Sequence, residues 1–269
     1  MGPACHPHPS PAGRRGATPS PTGPAVRGLV YQLAYRGGMS ALTSGSTDRP
    51  PLRSLSGAGT GSLADLAYAS LLDALLVLDI RPGDPVNDDA LARELGIGRT
   101  PVREAFKRLE ADRLLVAFPR RGTFATRVDM TDLGQISEVR RSLEPVAAAG
   151  AARRATPAAR QELRALAGTI ADLDAGTLSQ RELMRHDVDV HRSIYRACQN
   201  AYLEDVLVRH DNLATRIWCL VLDRLPTFAG HVGEHVALLE AIVDGRADDA
   251  ARLAHDHVTG FEETVRAVL

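Results

Sequence analysis

Potential metal ligands are concentrated in the C-terminal half of the sequence. Seven of the nine histidines lie between His186 and His257. Residues three and four apart share a helix face, and an apolar face is the one that a helix buries. On the predicted helix 179–198, Asp187 and His191 lie four residues apart on the apolar face. We therefore expect a carboxylate and an imidazole to point together into a core.

Two further histidines also occupy apolar faces. His235 precedes Leu239 and Ile242 at helical spacing, and His257 shares a face with Phe261. An unpaired carboxylate in a core costs on the order of several kcal/mol, and imidazoles converging on it are natural ligands for a divalent metal such as Zn, Ni or Mn. The sequence thus predicts a metal site with four ligands: Asp187, His191, His235 and His257. The alternative for each histidine is a hydrogen-bonded core residue.

A second chemical pattern is a basic ridge in the segment LGIGRTPVREAFKRLE, residues 95–110. Arg99, Arg103 and Lys107 are four residues apart and lie one above another on a helix, beside an apolar ridge. Arginine can bind guanine through two hydrogen bonds or clamp a phosphate, Thr100 can reach a base or a phosphate, and lysine suits the DNA backbone. The alternative is a solvated charged face.

The elements around this ridge favour DNA binding. Asn87 can cap a short helix that stops at Gly96, and the basic helix starts three residues later with Pro101 in its first turn. Two helices joined by so short a glycine-containing turn are typical of a helix-turn-helix. The following segment 114–128, LLVAFPRRGTFATRV, predicts a hairpin with a basic tip at Arg121, which is a wing.

Composition indicates a division of labour along the chain. The 269 residues have a net charge of −1, but residues 99–127 hold eight basic and three acidic residues, whereas residues 128–269 hold sixteen and twenty-two. A polybasic nucleic-acid coat is therefore excluded. Three cysteines provide no disulfide framework and no CxxC metal ribbon. With no apolar stretch long enough for a membrane span and no signal-peptide core, we expect a cytoplasmic protein without a membrane partner.

Three regions are predicted. Residues 1–60 hold nine of the sixteen prolines and ten of the twenty-three glycines, which indicates a disordered extension. Alternatives are a later start codon, with Met39 as a candidate, or a flexible basic arm that contacts DNA. Residues 62–128 form the winged helix-turn-helix. Residues 130–269 form an all-helical bundle, with predicted helices at 131–154, 157–175, 179–198, 201–224, 231–244 and 247–268. The expected fold class is mainly α.

The motifs PGD, LARELG, RTPVREA, RLE and RRGTF fall in order within residues 80–125. This segment resembles the winged helix-turn-helix of the GntR family of bacterial transcription regulators, and the resemblance covers residues 62–128. It implies that Arg99, Thr100 and Arg103 contact the operator and that Gly122 and Thr123 at the wing tip approach the DNA backbone. Gly98 stands where the family usually has Ser or Thr, so a hydroxyl that could touch phosphate is lost. Asp89 is acidic where some relatives carry a basic residue, and the operator sequence is expected to differ accordingly.

Residues 130–262 are similar to the ligand-binding domain of the FadR-like subgroup of that family, an antiparallel helical bundle. The resemblance rests on EVRRSLEP, DVDVH, GEHVALLEAIVDG and the histidine twelve residues after Gly245. It implies that the Asp-x-x-x-His pair and two later histidines hold the metal, and that a small organic acid completes the coordination. Arg140 is expected to pair with the effector carboxylate, or alternatively to form a salt bridge with Glu144. Arg216 is a weaker candidate for the effector role.

These patterns together predict a dimeric, ligand-responsive transcription repressor that binds a palindromic double-stranded operator. A small carboxylate bound at the divalent metal would change the spacing of the two recognition helices in the homodimer. One alternative is a regulator whose helical domain is a metal-free dimerisation module. A metal-dependent enzyme is the other alternative, but no separate acid–base pair lies near the predicted ligands, so we expect a protein that is not an enzyme.

Overall fold

The computed structural model describes Met1, Leu52 and residues 61–174, 176–225 and 228–269. The predicted disordered extension, with the alternatives of a start at Met39 or a DNA-contacting arm, lies outside the described residues except at Met1 and Leu52. The helices and strands are α1 (Leu63–Leu76), β1 (Pro85–Val86), α2 (Asp88–Leu95), α3 (Arg99–Ala111), β2 (Leu115–Phe118), β3 (Gly122–Ala125), α4 (Leu133–Arg154), α5 (Pro157–Ala171), α6 (Gln180–Ala197), α7 (Ala201–Val221), α8 (Phe228–Val243) and α9 (Ala247–Ala267). The mainly helical fold class is confirmed.

The helix-turn-helix forms where the capping residues direct it. Asn87 caps α2, its side-chain oxygen accepting a hydrogen bond of 2.9 Å from the Ala90 amide. Gly96 ends α2 in the left-handed conformation, with φ of 66°, which glycine adopts without a steric penalty. Gly98 precedes α3 without a side-chain capping bond. The turn between α2 and α3 is therefore tight, and the residue before the basic helix provides no side-chain cap.

The wing is the hairpin of β2 and β3, and it extends into a three-stranded antiparallel sheet of order β1-β3-β2. Phe118 pairs with Gly122 at the tip, where Arg120 and Gly122 both have positive φ. Strand β1 was missed by the sequence prediction, which assigned no helix or strand to Pro85 and Val86. Two residues carry no periodicity, and only pairing with the distant β3 makes them a strand.

Two apolar clusters hold the described chain together. The first lies within the winged region and includes Leu71, Leu75, Leu91, Val102, Leu109 and Leu114. The second fills the helical bundle and includes Leu133, Ala148, Leu163, Ile194, Leu207, Trp218, Leu239, Ile242 and Phe261. Helix α8 begins three residues before the predicted start, and α5 ends four residues before the predicted end. Among the described residues, every helix is too short or too polar to cross a membrane.

Two arginines of the helical bundle bind the winged region directly. Arg185 on α6 donates from Nε and Nη2 to the two carboxylate oxygens of Asp73 on α1, at 2.8 and 2.9 Å. Arg216 on α7 is 1% exposed and donates to the hydroxyl and the carbonyl oxygen of Thr126, which follows β3. The first helix and the wing are thus each held by a separate helix of the bundle.

Candidate metal centre and nucleic-acid interface

Helix α6 positions the first two predicted ligands. Ser179 accepts from the Glu182 amide while the Glu182 carboxylate accepts from Ser179, which forms a capping box that sets where the helix begins. From that start, Asp187 and His191 fall on the buried face and are 5% and 1% exposed. The charged and imidazole groups therefore enter the bundle core side by side, as the periodicity predicted.

Helices α8 and α9 bring in the other two. His235 is 0% exposed and His257 is 4% exposed. One ligand atom from each of Asp187, His191, His235 and His257 can be chosen so that all four lie within 4.8 Å of one another. The structure thus brings together the four residues that the sequence predicted as ligands. Their binding of a metal stays a prediction.

The hydrogen bonds of the three histidines orient their rings in a common way. Nδ1 of His191 lies 3.3 Å from the Glu144 carboxylate, Nδ1 of His235 lies 3.2 Å from the Val232 carbonyl oxygen, and Nδ1 of His257 lies 3.0 Å from the Glu234 carboxylate. In the neutral form of each ring, an Nδ1 that donates to these acceptors leaves the lone pair on Nε2. Outer partners of this kind are what orient metal-binding histidines.

The inner atoms of the same residues lack partners among the described residues. Nε2 of His191, His235 and His257 and one carboxylate oxygen of Asp187 are buried and accept or donate no hydrogen bond there. An orphaned buried polar atom costs about 1–3 kcal/mol, so four in one place call for a common partner. Three imidazole nitrogens and a carboxylate oxygen suit a divalent cation of the Zn, Ni or Mn type.

The electrostatics of the cluster point the same way. Burial raises the pKa of Asp187 to about 6, and burial lowers the pKa values of His235 and His257 well below the ordinary value. For His191, burial works against the charge, but the carboxylates of Glu144, Asp211 and Asp187 together outweigh it and raise the pKa to about 8. A cation at the centre would offset the burial of the carboxylate and would need His191 in its neutral form.

Beside the cluster, Arg140 lies in a buried ionic network. It is 4% exposed, with Nε 2.5 Å from Glu144 and Nη2 3.4 Å from Asp211. Burial opposes its charge, but Glu144, with Tyr195 and Asp211, raises its pKa above the ordinary value. Arg140 therefore forms the salt bridge that the sequence left as its alternative role, and Glu144 links it to His191.

The second effector candidate, Arg216, lies in a different setting. Both of its terminal nitrogens donate to Thr126, so the structure places them in the contact with the winged region. Arg216 has further contacts besides these. A role in effector binding stays a prediction for this residue.

The predicted DNA-contacting residues lie on the surface. Arg99, Thr100, Arg103 and Lys107 are exposed on α3, Arg121 and Gly122 are exposed at the wing tip, and Thr123 is half-buried. The apolar ridge of α3 is buried, as the pattern predicted, through Val102, Ala105, Phe106 and Leu109.

Two of the basic residues are held by the preceding helix. Nη1 of Arg99 lies 2.9 Å from Asp89, and Nε of Arg103 lies 2.6 Å from Asp88. Both pairs are largely exposed, so they orient the guanidinium groups more than they stabilise the fold. The acidic Asp89 that the sequence singled out thus positions a predicted DNA-contacting arginine.

A winged helix-turn-helix with an exposed basic ridge, joined to a helical bundle, is the architecture of a DNA-binding regulator. Residues 63–125 match the family described as bacterial regulatory proteins, gntR family, and residues 135–260 match the FCD domain. The chain belongs to the GntR family and carries an FCD domain after its helix-turn-helix.

Individual relatives agree with this assignment. The chain is 28% identical over 180 residues to the Nta operon transcriptional regulator of Aminobacter aminovorans, covering 66% of this chain and 82% of that protein. It is 33% identical over 146 residues to the "Probable D-xylose utilization operon transcriptional repressor" of Paenarthrobacter nicotinovorans, covering 52% and 64%. The solved structure of E. coli McbR/YncC shares the fold, with a TM-score of 0.67 at 20% identity, over 77% of this chain and 98% of that one.

The sequence prediction missed the residues that surround the ligands. Glu144 was considered only as a partner for Arg140, and Tyr195, which donates to Glu144 at 3.0 Å, was not singled out. His231 and Glu234 on α8 were also missed, although His231 lies one turn before His235 and Glu234 directly precedes it. Helical spacing from His235 was the pattern that could have found His231.

Proposed function

We propose that this protein is a transcription repressor whose operator affinity is controlled by a small organic acid bound at a divalent metal in the FCD domain. The observation that carries the proposal is the convergence of four buried ligand atoms, from Asp187, His191, His235 and His257, that have no hydrogen-bond partner among the described residues. When bound, a divalent cation would supply coordination positions that a carboxylate can fill.

The network beside the cluster supports recognition of an acid. The Arg140 guanidinium is balanced by the carboxylates of Glu144 and Asp211. Arginine binds carboxylates through two parallel hydrogen bonds. An effector carboxylate would compete with Asp211 for Arg140, since that contact of 3.4 Å is longer than the 2.5 Å contact with Glu144. The side chains that hold Arg140 would then rearrange.

Such a rearrangement has a short path to the DNA-binding region. Helix α6 carries Asp187 and His191 at the cluster and Arg185 at Asp73. Helix α7 carries Asp211 in the Arg140 network and Arg216 at Thr126. A shift of either helix would therefore move α1 or the wing. The contacts of the DNA-binding region would then differ between the effector-bound and effector-free states, as allosteric coupling requires.

The regulator is proposed to act as a homodimer. Two winged domains would bind the half-sites of a palindrome, since operator symmetry mirrors protein symmetry. A movement of the helical domains would then change the distance between the two α3 helices and lower operator affinity.

The first experiment is metal analysis by mass spectrometry on untagged protein dialysed against zinc, nickel or manganese. We expect about one ion per chain in the wild type and loss of the ion in Asp187→Ala and His191→Ala. His255→Ala is the matched control, because His255 is exposed on the same helix as His257. Retention of the ion in both ligand variants would refute the site.

The second experiment measures binding of the loaded protein to its own upstream DNA, with a panel of small carboxylates. Release of DNA by one acid, lost in Arg140→Lys, is the expected result. Absence of metal in the wild type would favour the metal-free dimerisation domain instead. Absence of salt-dependent DNA binding would contradict the function as a whole.

A further inference from the structure

Two residues of α8 lie between the buried cluster and the surface. The side chain of Glu234 is 56% exposed, that of His231 is 11% exposed, that of His257 is 3% exposed and that of His235 is 0% exposed. These potential ligands therefore form a series of decreasing exposure that leads inward. His231, Glu234 and His257 also offer ligand atoms within 4.8 Å of one another.

His231 spans the distance between two carboxylates. Its Nδ1 lies 3.6 Å from Glu234, and its Nε2 lies 3.9 Å from Asp187. One nitrogen of the ring thus faces the exposed carboxylate and the other faces the buried cluster. Carboxylate and imidazole groups are both ligands for divalent transition metals, so a cation at Glu234 would have a continuous set of ligands toward Asp187.

The stacking of the imidazoles argues against a permanent second ion. The rings of His231 and His257 are stacked, with centroids 4.0 Å apart and an angle of 20° between their planes. A metal bound to an imidazole nitrogen lies close to the ring plane at about 2 Å. An ion in the plane of one stacked ring lies well outside the plane of the other. The group of His231, Glu234 and His257 is therefore suited to binding an ion only transiently.

We propose that Glu234 and His231 form a loading path, in which Glu234 captures the hydrated divalent cation and His231 passes it to Asp187. The proposal rests on the metal site of the proposed function. The buried cluster needs such a path because its own ligands are at most 5% exposed. A stepwise exchange of water for Glu234, then for His231, then for the inner ligands avoids an ion without ligands in the core.

The test measures Co²⁺ uptake and release by the chelator-stripped full-length protein in a stopped-flow absorbance instrument. The decisive variant is His231→Phe, which keeps a ring against Trp218 and removes both nitrogens. A path residue lowers the association and dissociation rate constants together, because both directions use the same path, and leaves Kd unchanged. We expect both rate constants to fall about tenfold, with one ion per chain retained.

A second pair of variants keeps the test decisive if His231→Phe does not fold. Glu234→Gln removes the capturing charge, whereas Glu240→Gln removes an exposed charge from the same helix away from the cluster. We expect the association rate constant to fall and to lose most of its salt dependence in Glu234→Gln only. Because Glu234 also orients His257, the association rate and not Kd is the measured quantity here.

The outcomes separate this proposal from the metal site itself. No uptake of Co²⁺ by the wild type refutes the site. Uptake by the wild type with unchanged rates in His231→Phe and in Glu234→Gln overturns the loading path alone. Faster release with a raised Kd in His231→Phe would mean that His231 is a permanent ligand, and this result also overturns the path.

Discussion

We predict that His191 makes the free energy of unfolding of the metal-free protein fall as the pH rises. Its ring is buried against the Glu144 carboxylate, with Asp211 and Asp187 nearby. Burial opposes protonation, but these carboxylates outweigh it and raise the pKa from 6.5 to about 8. Below pH 6.5 the folded and unfolded chains both hold the proton, so the stabilisation is complete. It is lost as the pH rises through about 8.

The magnitude follows from the size of this shift. One pKa unit corresponds to about 1.4 kcal/mol, so a shift from 6.5 to about 8 corresponds to about 2 kcal/mol between pH 6.5 and 8. The burial that lowers the pKa values of His231, His235 and His257 acts with the opposite sign, and it fades only as the unfolded histidines lose their protons above pH 6.5. The difference between the wild type and His191→Asn at each pH therefore isolates His191, because the other groups titrate in both proteins.

The assay is urea unfolding followed by far-ultraviolet circular dichroism, at closely spaced pH values from 6.5 to 8.5. Relative to chelator-stripped His191→Asn at the same pH, the chelator-stripped wild type should lose about 2 kcal/mol across this range. A difference in the free energy of unfolding between these two proteins that stays level or grows with pH would refute the reasoning.

Four other substitutions test three different parts of the molecule. Arg140→Leu removes the guanidinium that both buried carboxylates contact, leaving Glu144 with His191 and Asp211 with Arg192. It should lower the free energy of unfolding by about 3 kcal/mol, and a loss below about 1 kcal/mol in urea unfolding would contradict the buried network. Lys107→Ala should weaken binding to all DNA sequences and reduce by about one the slope of log binding constant against log salt concentration. Arg103→Ala should cost about 1–3 kcal/mol of binding free energy on the operator alone. Equal losses on operator and random DNA for Arg103→Ala, measured by fluorescence anisotropy, would disprove this distinction. Thr126→Val removes the hydroxyl that accepts from Arg216 and donates to the carbonyl oxygens of Arg113 and Leu114. It should cost about 1–3 kcal/mol, and unchanged stability would show that these contacts are dispensable.

The recognition helix shows which features of this protein are set by residues close together in the sequence. Its apolar ridge, its basic ridge and the capping by Asn87 and Gly96 depend on residues within a few positions of one another, so helical spacing alone predicted them. The same holds for Asp187 and His191, which share one face of one helix. Burial of that face was therefore predictable before any tertiary contact was known.

The short strand β1 and the side chains that contact the predicted metal ligands depend on residues far apart in the sequence. Pro85 and Val86 become a strand only through pairing with β3, and Glu144, on α4, meets His191 only because the helices pack together. Neither of these contacts produces a repeating pattern of residue types in the sequence. Long-range contacts of this kind arise from packing, and one sequence without an alignment carries no record of them.

The sequence by itself determined that a DNA-binding helix precedes a helical domain, and which four side chains face into that domain, because periodicity decides which face of a helix is buried. Only the tertiary structure decided what those side chains meet. It placed Arg216 at the wing and Arg140 between two carboxylates, and it brought His231 and Glu234 beside Asp187 and the other buried histidines. The physical reason is that helix spacing sets a direction for each side chain, whereas the packing of separate helices sets its partners.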